Sequence, residues 1–233
     1  MKRFQKIALL ALAAITCLVT VDAKKQISRE KLATRITNSE YALEQIMQKA
    51  ETLIPQAILR DAKGIILTVN YRGGLIIGGQ GGLGVLVAKS PVTGEWGVPA
   101  FVRAGGANLG LQAGVKEVSN VFVIMDDDII RRVTRGRFNF NADASAVAGP
   151  VGVYTEANAS KEYKEAKIYV YSTAKGLFAG VSVKAGWVSP DNKNTKFFYN
   201  TDYNMPEVIL SDWFELPSEA QSLKARLDLY TKG

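Results

Sequence analysis

The chain of 233 residues contains no histidine and a single cysteine, Cys17. These two shortages remove Cys/His zinc sites, Ser-His triads, cysteine nucleophiles and a disulfide framework together. What survives is chemistry with carboxylates alone, and Asp126, Asp127 and Asp128 are the candidates for it. No carboxylate pair has a spacing that acid–base catalysis could use, so no catalytic residue, metal ligand or cofactor is assigned and an enzyme is not expected.

Long apolar runs are scarce as well. Ile7 to Val21 is nearly continuous, follows Lys2, Arg3 and Lys6, and ends in Val21-Asp22-Ala23. A basic start, a short apolar core and a small exit residue predict a secretory signal peptide over residues 1–23, too short and wrongly flanked for a membrane span. An exported, periplasmic or secreted protein is the expectation. Cys17 raises the alternative of a lipoprotein, but Thr16 stands before it where glycine, alanine or serine is usual. Residues 24–233 then form one globular domain. The formal charge of +7 falls to about +5 without the signal. That balance favours an anionic partner, and in an exported protein a lipid surface over nucleic acid.

From Ser28 to Ile54 the apolar residues Leu32, Ile36, Leu43, Met47, Ala50 and Ile54 recur at spacings of four and three, with a gap at Ser39. That is a helix with one apolar face. Its start is basic: Lys24, Lys25, Arg29, Lys31 and Arg35 face only Glu30. Pro55 stops it and opens a second helix, Gln56 to Lys63, with Gly64 as a left-handed cap. Gly64 to about Gly114 reads as strands, with turns at Arg72-Gly73-Gly74 and from Pro91 to Gly94. Asp127 or Asp128 is expected to cap a short helix holding Ile129, Ile130 and Val133, ended by Gly136. Strands resume in "ASAVAGPVGVYTEA", "AKIYVYST" and "GLFAGVSVKAGW", and a helix from Pro217 to Tyr230 closes the chain. Strands in succession without crossover helices argue for antiparallel pairing. The predicted fold is α+β: a glycine-rich, mainly antiparallel sheet, sandwich or barrel-like, flanked by N- and C-terminal helices.

Two short motifs invite a chemical reading and fail on context. Gly79-Gln80-Gly81-Gly82-Leu83-Gly84 spells G-x-G-x-x-G, but a dinucleotide site needs a helix after the glycines and a carboxylate about 20 residues on. Here the strand continues, so the glycines are expected to let a curved sheet pack closely against a helix or an aromatic ring. Ser172-Thr173-Ala174-Lys175 spells S-x-x-K, yet it lies between strands and not at a helix start. Asp126 to Asp128 are read as a cap and not as a calcium site, because three consecutive side chains diverge.

Two basic groups remain. Arg131, Arg132, Arg135 and Arg137 crowd one short helix and its exit, either as a solvated face or as a cradle for phosphate head groups. At the N-terminus, membrane contact is expected for Lys24 to Ile36 and core packing for Leu43 to Ile54. An outer-membrane barrel is disfavoured by the terminal helices and by the lack of steady ten-residue alternation.

The ordered set of "AKGIILTV", "GGQGGLGVLVAK", "TGEWGVPAFV", "NLGLQAGVKEVSNVFVIM", "AVAGPVG" and "YSTAKGLFAGVSV" resembles the SYLF domain family over about residues 54–203, bacterial members included. The resemblance implies a non-enzymatic lipid-binding module. Eukaryotic relatives bind phosphoinositides, partly through a basic amphipathic segment at the start of the domain, and some bind actin; bacterial relatives are mostly exported envelope proteins. The segment before Ile54-Pro55 corresponds to that membrane-binding helix, which brings Lys31 and Arg35 into play, although the basic residues here are interspersed with polar ones. The expected lipid-binding set is therefore Lys24, Lys25, Arg29, Lys31, Arg35, Arg131, Arg132, Arg135 and Arg137. The expected partner is an anionic phospholipid or membrane surface; the alternative is a scaffold that binds an envelope protein.

Overall fold

Ser28 starts the first helix, its hydroxyl accepting the Lys31 N–H at 3.3 Å, and α1 runs over Arg29–Met47. The computed structural model describes residues 27–49, 52–74, 77–109, 116–143, 146–148, 166–174, 177–178 and 186–231; Lys24 and Lys25 lie outside the described residues. The buried face of α1 is Leu32, Arg35, Ile36, Ser39, Ala42, Leu43 and Ile46, so the apparent gap at Ser39 is no gap. Its hydroxyl donates to the Arg35 carbonyl at 2.9 Å, which makes a buried serine tolerable. The helix stops before the expected Ile54, and the Thr52 hydroxyl folds back to the Ile46 carbonyl at 2.8 Å. After Pro55, α2 spans Gln56–Asp61.

Gly64 opens a strand and does not cap a helix: a Cβ there would lie 2.4 Å from Ile130 Cδ1, so its glycine serves close packing. The strands are β1 (Gly64–Gly74), β2 (Ile77–Ala88), β3 (Ala100–Leu109) and β4 (Lys116–Ile124), followed by β5 (Phe138–Asn139), β6 (Ala146–Ala148), β7 (Ile168–Ala174), β8 (Leu177–Phe178) and β9 (Gly186–Pro190). They form one sheet in the order β5-β9-β3-β2-β1-β4-β7-β6, with β8 on β7. Pairing is antiparallel except between β6 and β7. The fold is the expected α+β one, with a curled, barrel-like sheet. The predicted turn before β3 is present, and Gly94 adopts φ +72° there, a conformation glycine takes without a Cβ penalty.

Strand residues alternate between two cores. Ile65, Leu67, Val85, Val87, Phe101, Val121 and Val123 pack with Leu32, Ile36, Leu43 and Ile46 of α1. Ile66, Leu86, Val102, Phe122 and Ile124 face the other way, against Ile129, Ile130 and Val133 of α3 (Asp127–Arg135). The sheet is thus covered on both faces. Asp126, one residue earlier than expected, caps α3 by accepting the Asp128 N–H at 2.8 Å.

Further helices complete the chain: the single turn α4 (Phe140–Asp143), α5 (Asn192–Tyr199), α6 (Met205–Leu210), a 3-10 turn (Ser218–Ala220) and α7 (Gln221–Thr231). Arg226 of α7 reaches Glu44 of α1 at 2.7 Å, and Leu223 and Leu227 join the core beneath α1. The Leu32 and Ile36 stripe, expected to be available to a membrane, is occupied by this core.

Candidate functional site

Arg35 defines the base of the site. It projects from α1 onto the β2–β3 pair, where Nε donates to the Gly84 carbonyl at 3.0 Å and Nη2 to the Val102 carbonyl. Nη1 meets Asp191 Oδ2 at 3.0 Å, and the guanidinium stands 5.2 Å from the centre of the Phe101 ring. Only 7 % of Arg35 is exposed. Burial pushes its pKa below the ordinary arginine value, and Asp191 opposes that shift. Its role is to fix α1 to the sheet, which corrects the expectation that Arg35 faces lipid.

Asp191 sits where β9 gives way to α5. Besides Arg35 it receives the Asn194 side-chain amide at 2.6 Å, and Arg103 Nε lies 4.0 Å from its other oxygen. One buried carboxylate thus organises three elements.

Beside this anchor, α1 and the sheet enclose a groove of about 880 Å³, within the range of small-ligand sites. Its apolar surface comes from Ile27, Leu32, Val69, Tyr71, Leu83 and Trp187; its charged groups are Lys31, Arg35, Arg103, Lys193 and the single carboxylate Asp191. Lys31, Arg103 and Lys193 are exposed, so they form a cationic rim above an apolar floor. Tyr71 and Leu83 are about half exposed, which leaves the floor accessible. Gln80 also lines the groove, and its Oε1 is buried with no hydrogen-bond partner.

Glycine shapes this surface. A Cβ at Gly105 would lie 2.5 Å from the Trp187 ring, and one at Gly84 would lie 1.9 Å from the Leu67 carbonyl oxygen. The G-x-G-x-x-G lies inside the continuous strand β2, and its Gly84 makes room for the backbone of the neighbouring strand β1 and not for a helix or a ring; the ring is met by Gly105, outside the motif. Ser172 of the S-x-x-K lies in β7 and is buried, its hydroxyl donating to Asn120 Oδ1 at 2.5 Å.

The other expected residues are dispersed. Arg29 braces the fold: it pairs with Glu219 at 2.6 Å, donates to the Phe198 carbonyl at 2.7 Å and lies 4.3 Å over the Phe198 ring. Arg131 pairs with Asp128 and Arg132 with Asp143, each at 2.7 Å. These two and Arg135 belong to α3, across the sheet from α1, so the two basic groups do not form one surface. Arg137 instead stacks 4.2 Å over the ring of Trp187, itself a groove residue. Of the expected set, Lys31 faces the groove from above, Arg35 supports it from below, and Arg137 flanks it.

Arg103, Lys193, Trp187 and Asp191 were missed by the sequence reading. Arg103 carried a usable signal, a lone cation alternating with Phe101 and Gly105 on one strand face. Among the described residues, no group of three or more His, Cys, Asp or Glu side chains could hold a metal ion, and no helix is long and apolar enough to cross a membrane.

Comparison with known proteins gives a consistent family. The family model described as "Ysc84: Las17-binding protein actin regulator" matches residues 105–230. "Protein YSC84" of Saccharomyces cerevisiae is 30 % identical over 198 residues, covering 84 % of this chain and 42 % of that protein. "LAS seventeen-binding protein 3" of the same species matches to the same extent, 30 % over 198 residues with 84 % and 42 % covered. The human "SH3 domain-containing YSC84-like protein 1" is 26 % identical over 184 residues, 78 % of this chain and 53 % of its own. The chain spans about half the length of the curated relatives it matches, or less. No solved structure matches.

Proposed function

Because the chain belongs to the Ysc84 family, the SYLF domain family, we propose that it is a non-enzymatic protein that binds anionic lipid at the groove beside α1. The observation that carries this reading is the pairing of an apolar floor with a rim of Lys31, Arg103 and Lys193 whose one lining carboxylate, Asp191, is already held by Arg35. A phosphate or carboxylate head group would meet the rim, and part of an acyl chain would cover Val69, Leu83 and Trp187. Each basic residue at an anionic surface contributes about 1 kcal/mol, so binding is weak, peripheral and salt-dependent. The signal-like start, from Lys2 to Ala23, supports an exported protein that works at an envelope surface.

Co-sedimentation of the purified protein with neutral and anionic vesicles, at low and high salt, tests the reading. Binding to anionic vesicles alone, lost in salt and reduced about tenfold or more by Lys31→Glu with Arg103→Glu, is expected. Equal binding to neutral vesicles contradicts it.

The names of the relatives, as Las17-binding proteins and an actin regulator, favour a second reading, a scaffold that holds a protein partner. That reading predicts no lipid preference and a partner retained at high salt.

A further inference from the structure

In a chain of formal charge +7, the stretch from Asn200 to Gln221 contains Asp202, Glu207, Asp212, Glu215 and Glu219 and no lysine or arginine. Glu219 is taken by Arg29. The other four carboxylates are exposed, and none has an ion pair among the described residues. A surface that leaves its like charges unneutralised is poised for a partner of opposite sign.

The same stretch exposes aromatic surface. Trp213 is 69 % exposed and Tyr203 52 %, and their rings lie 6.2 Å apart. Neither is loosely attached. Phe214 contacts Tyr203 at 6.3 Å and Tyr199 at 5.6 Å, and the Tyr199 hydroxyl donates to the Pro99 carbonyl at 2.6 Å. A ladder of rings thus runs from the sheet out to Trp213, which presents a large apolar face at little entropic cost on binding. Each exposed ring has a carboxylate beside it in sequence: Asp202 before Tyr203, and Asp212 and Glu215 around Trp213.

We propose that Tyr203 and Trp213, with Asp202, Asp212 and Glu215, form a docking surface for a segment of a partner protein that carries lysine or arginine interleaved with apolar residues. The cations meet the carboxylates and the ring faces, and the apolar side chains and the methylene stems of the cations cover the rings. An anionic membrane is repelled by the same carboxylates, so this surface and the groove take different ligands. The inference stands whether or not the groove binds lipid.

The test is fluorescence anisotropy of a labelled peptide alternating lysine with leucine, and of its counterpart with glutamate for lysine, titrated with the purified protein. The lysine peptide binds and the glutamate peptide does not. Trp213→Ala and the pair Asp212→Asn with Glu215→Gln each weaken binding about tenfold or more, while Lys31→Glu leaves it unchanged. Lysine-peptide affinity that is equal in all three variants, or no binding at about 1 mM protein, overturns the proposal. So does self-association abolished by both Trp213→Ala and Lys31→Glu, which would make the occupant the groove of a second copy.

Discussion

The groove beside α1 and the stretch from Asn200 to Gln221 both offer exposed aromatic and aliphatic surface, and they carry opposite charge. In the groove, Lys31, Arg35, Arg103 and Lys193 surround one carboxylate; in the later stretch, carboxylates stand without a cation between them. The net charge of the chain describes neither place. Partner choice follows from where charge is concentrated and whether it is already paired. Arg35 makes the same point within a single helix, because one turn from exposed Lys31 it is consumed by Asp191 and two carbonyls.

The largest effect is expected at Asp191. Asp191→Ala leaves the Arg35 guanidinium buried without its counter-charge, and removing one partner of a buried pair costs about 3–5 kcal/mol. Denaturant unfolding should show that loss, whereas Lys31→Ala, at the exposed rim, should change stability by no more than about 0.5 kcal/mol. Similar losses from both would erase the distinction between support and rim.

The glycines of β2 give the next largest effect. Gly84→Ala drives a Cβ toward the Leu67 carbonyl, at 1.9 Å, and the required backbone shift should cost about 1–3 kcal/mol. Gly81 lies in the same motif with nothing within 4 Å of the added atom, so Gly81→Ala should be free of that penalty. Thermal unfolding of the two variants side by side decides whether the motif is graded in this way.

The smallest effect is expected at the acidic stretch, through its one paired carboxylate. Arg29 holds the Glu219 carboxyl down to about 2 from its usual 4.5. A depressed carboxylate contributes stability that is present above the unfolded-state value and lost as pH falls through the folded one. Stability should therefore decline between about pH 4.5 and 2 by a component that Arg29→Ala removes. Arg29 is about half exposed and solvent screens the pair, so the component is at most about 1 kcal/mol, read from melting temperature against pH.

Local pattern made much of the fold legible. The period of Leu32, Ile36 and Leu43 gave α1, although the helix ends at Met47, short of the stop expected at Pro55, and the β-branched runs gave the central strands. The misreadings came where tertiary contacts decide. Gly64 looks like a helix cap until Ile130 is packed against it, and Ser39 looks like a gap in the apolar face until its hydroxyl is bonded to the Arg35 carbonyl. Helices α5 and α6 went unread, since "NKNTKFFY" presents a weak apolar period to a single sequence. The site was less legible than the fold. Arg35 reads as a surface cation because its partner, Asp191, lies 156 residues away, and no local rule joins them. Trp187 and Lys193 come to the groove by the pairing of β9 with β3, a non-local event.

Trp187, in the groove wall, can report directly whether lipid enters the groove. In a Trp213→Phe background, where buried Trp96 supplies the constant remainder, emission is recorded on adding anionic vesicles whose acyl chains carry bromine, a contact quencher. Quenching that saturates with vesicle binding and is reversed by salt is the expected result. Protein that is fully vesicle-bound with Trp187 emission unchanged would contradict binding in the groove, because lipid would then be held elsewhere on the molecule.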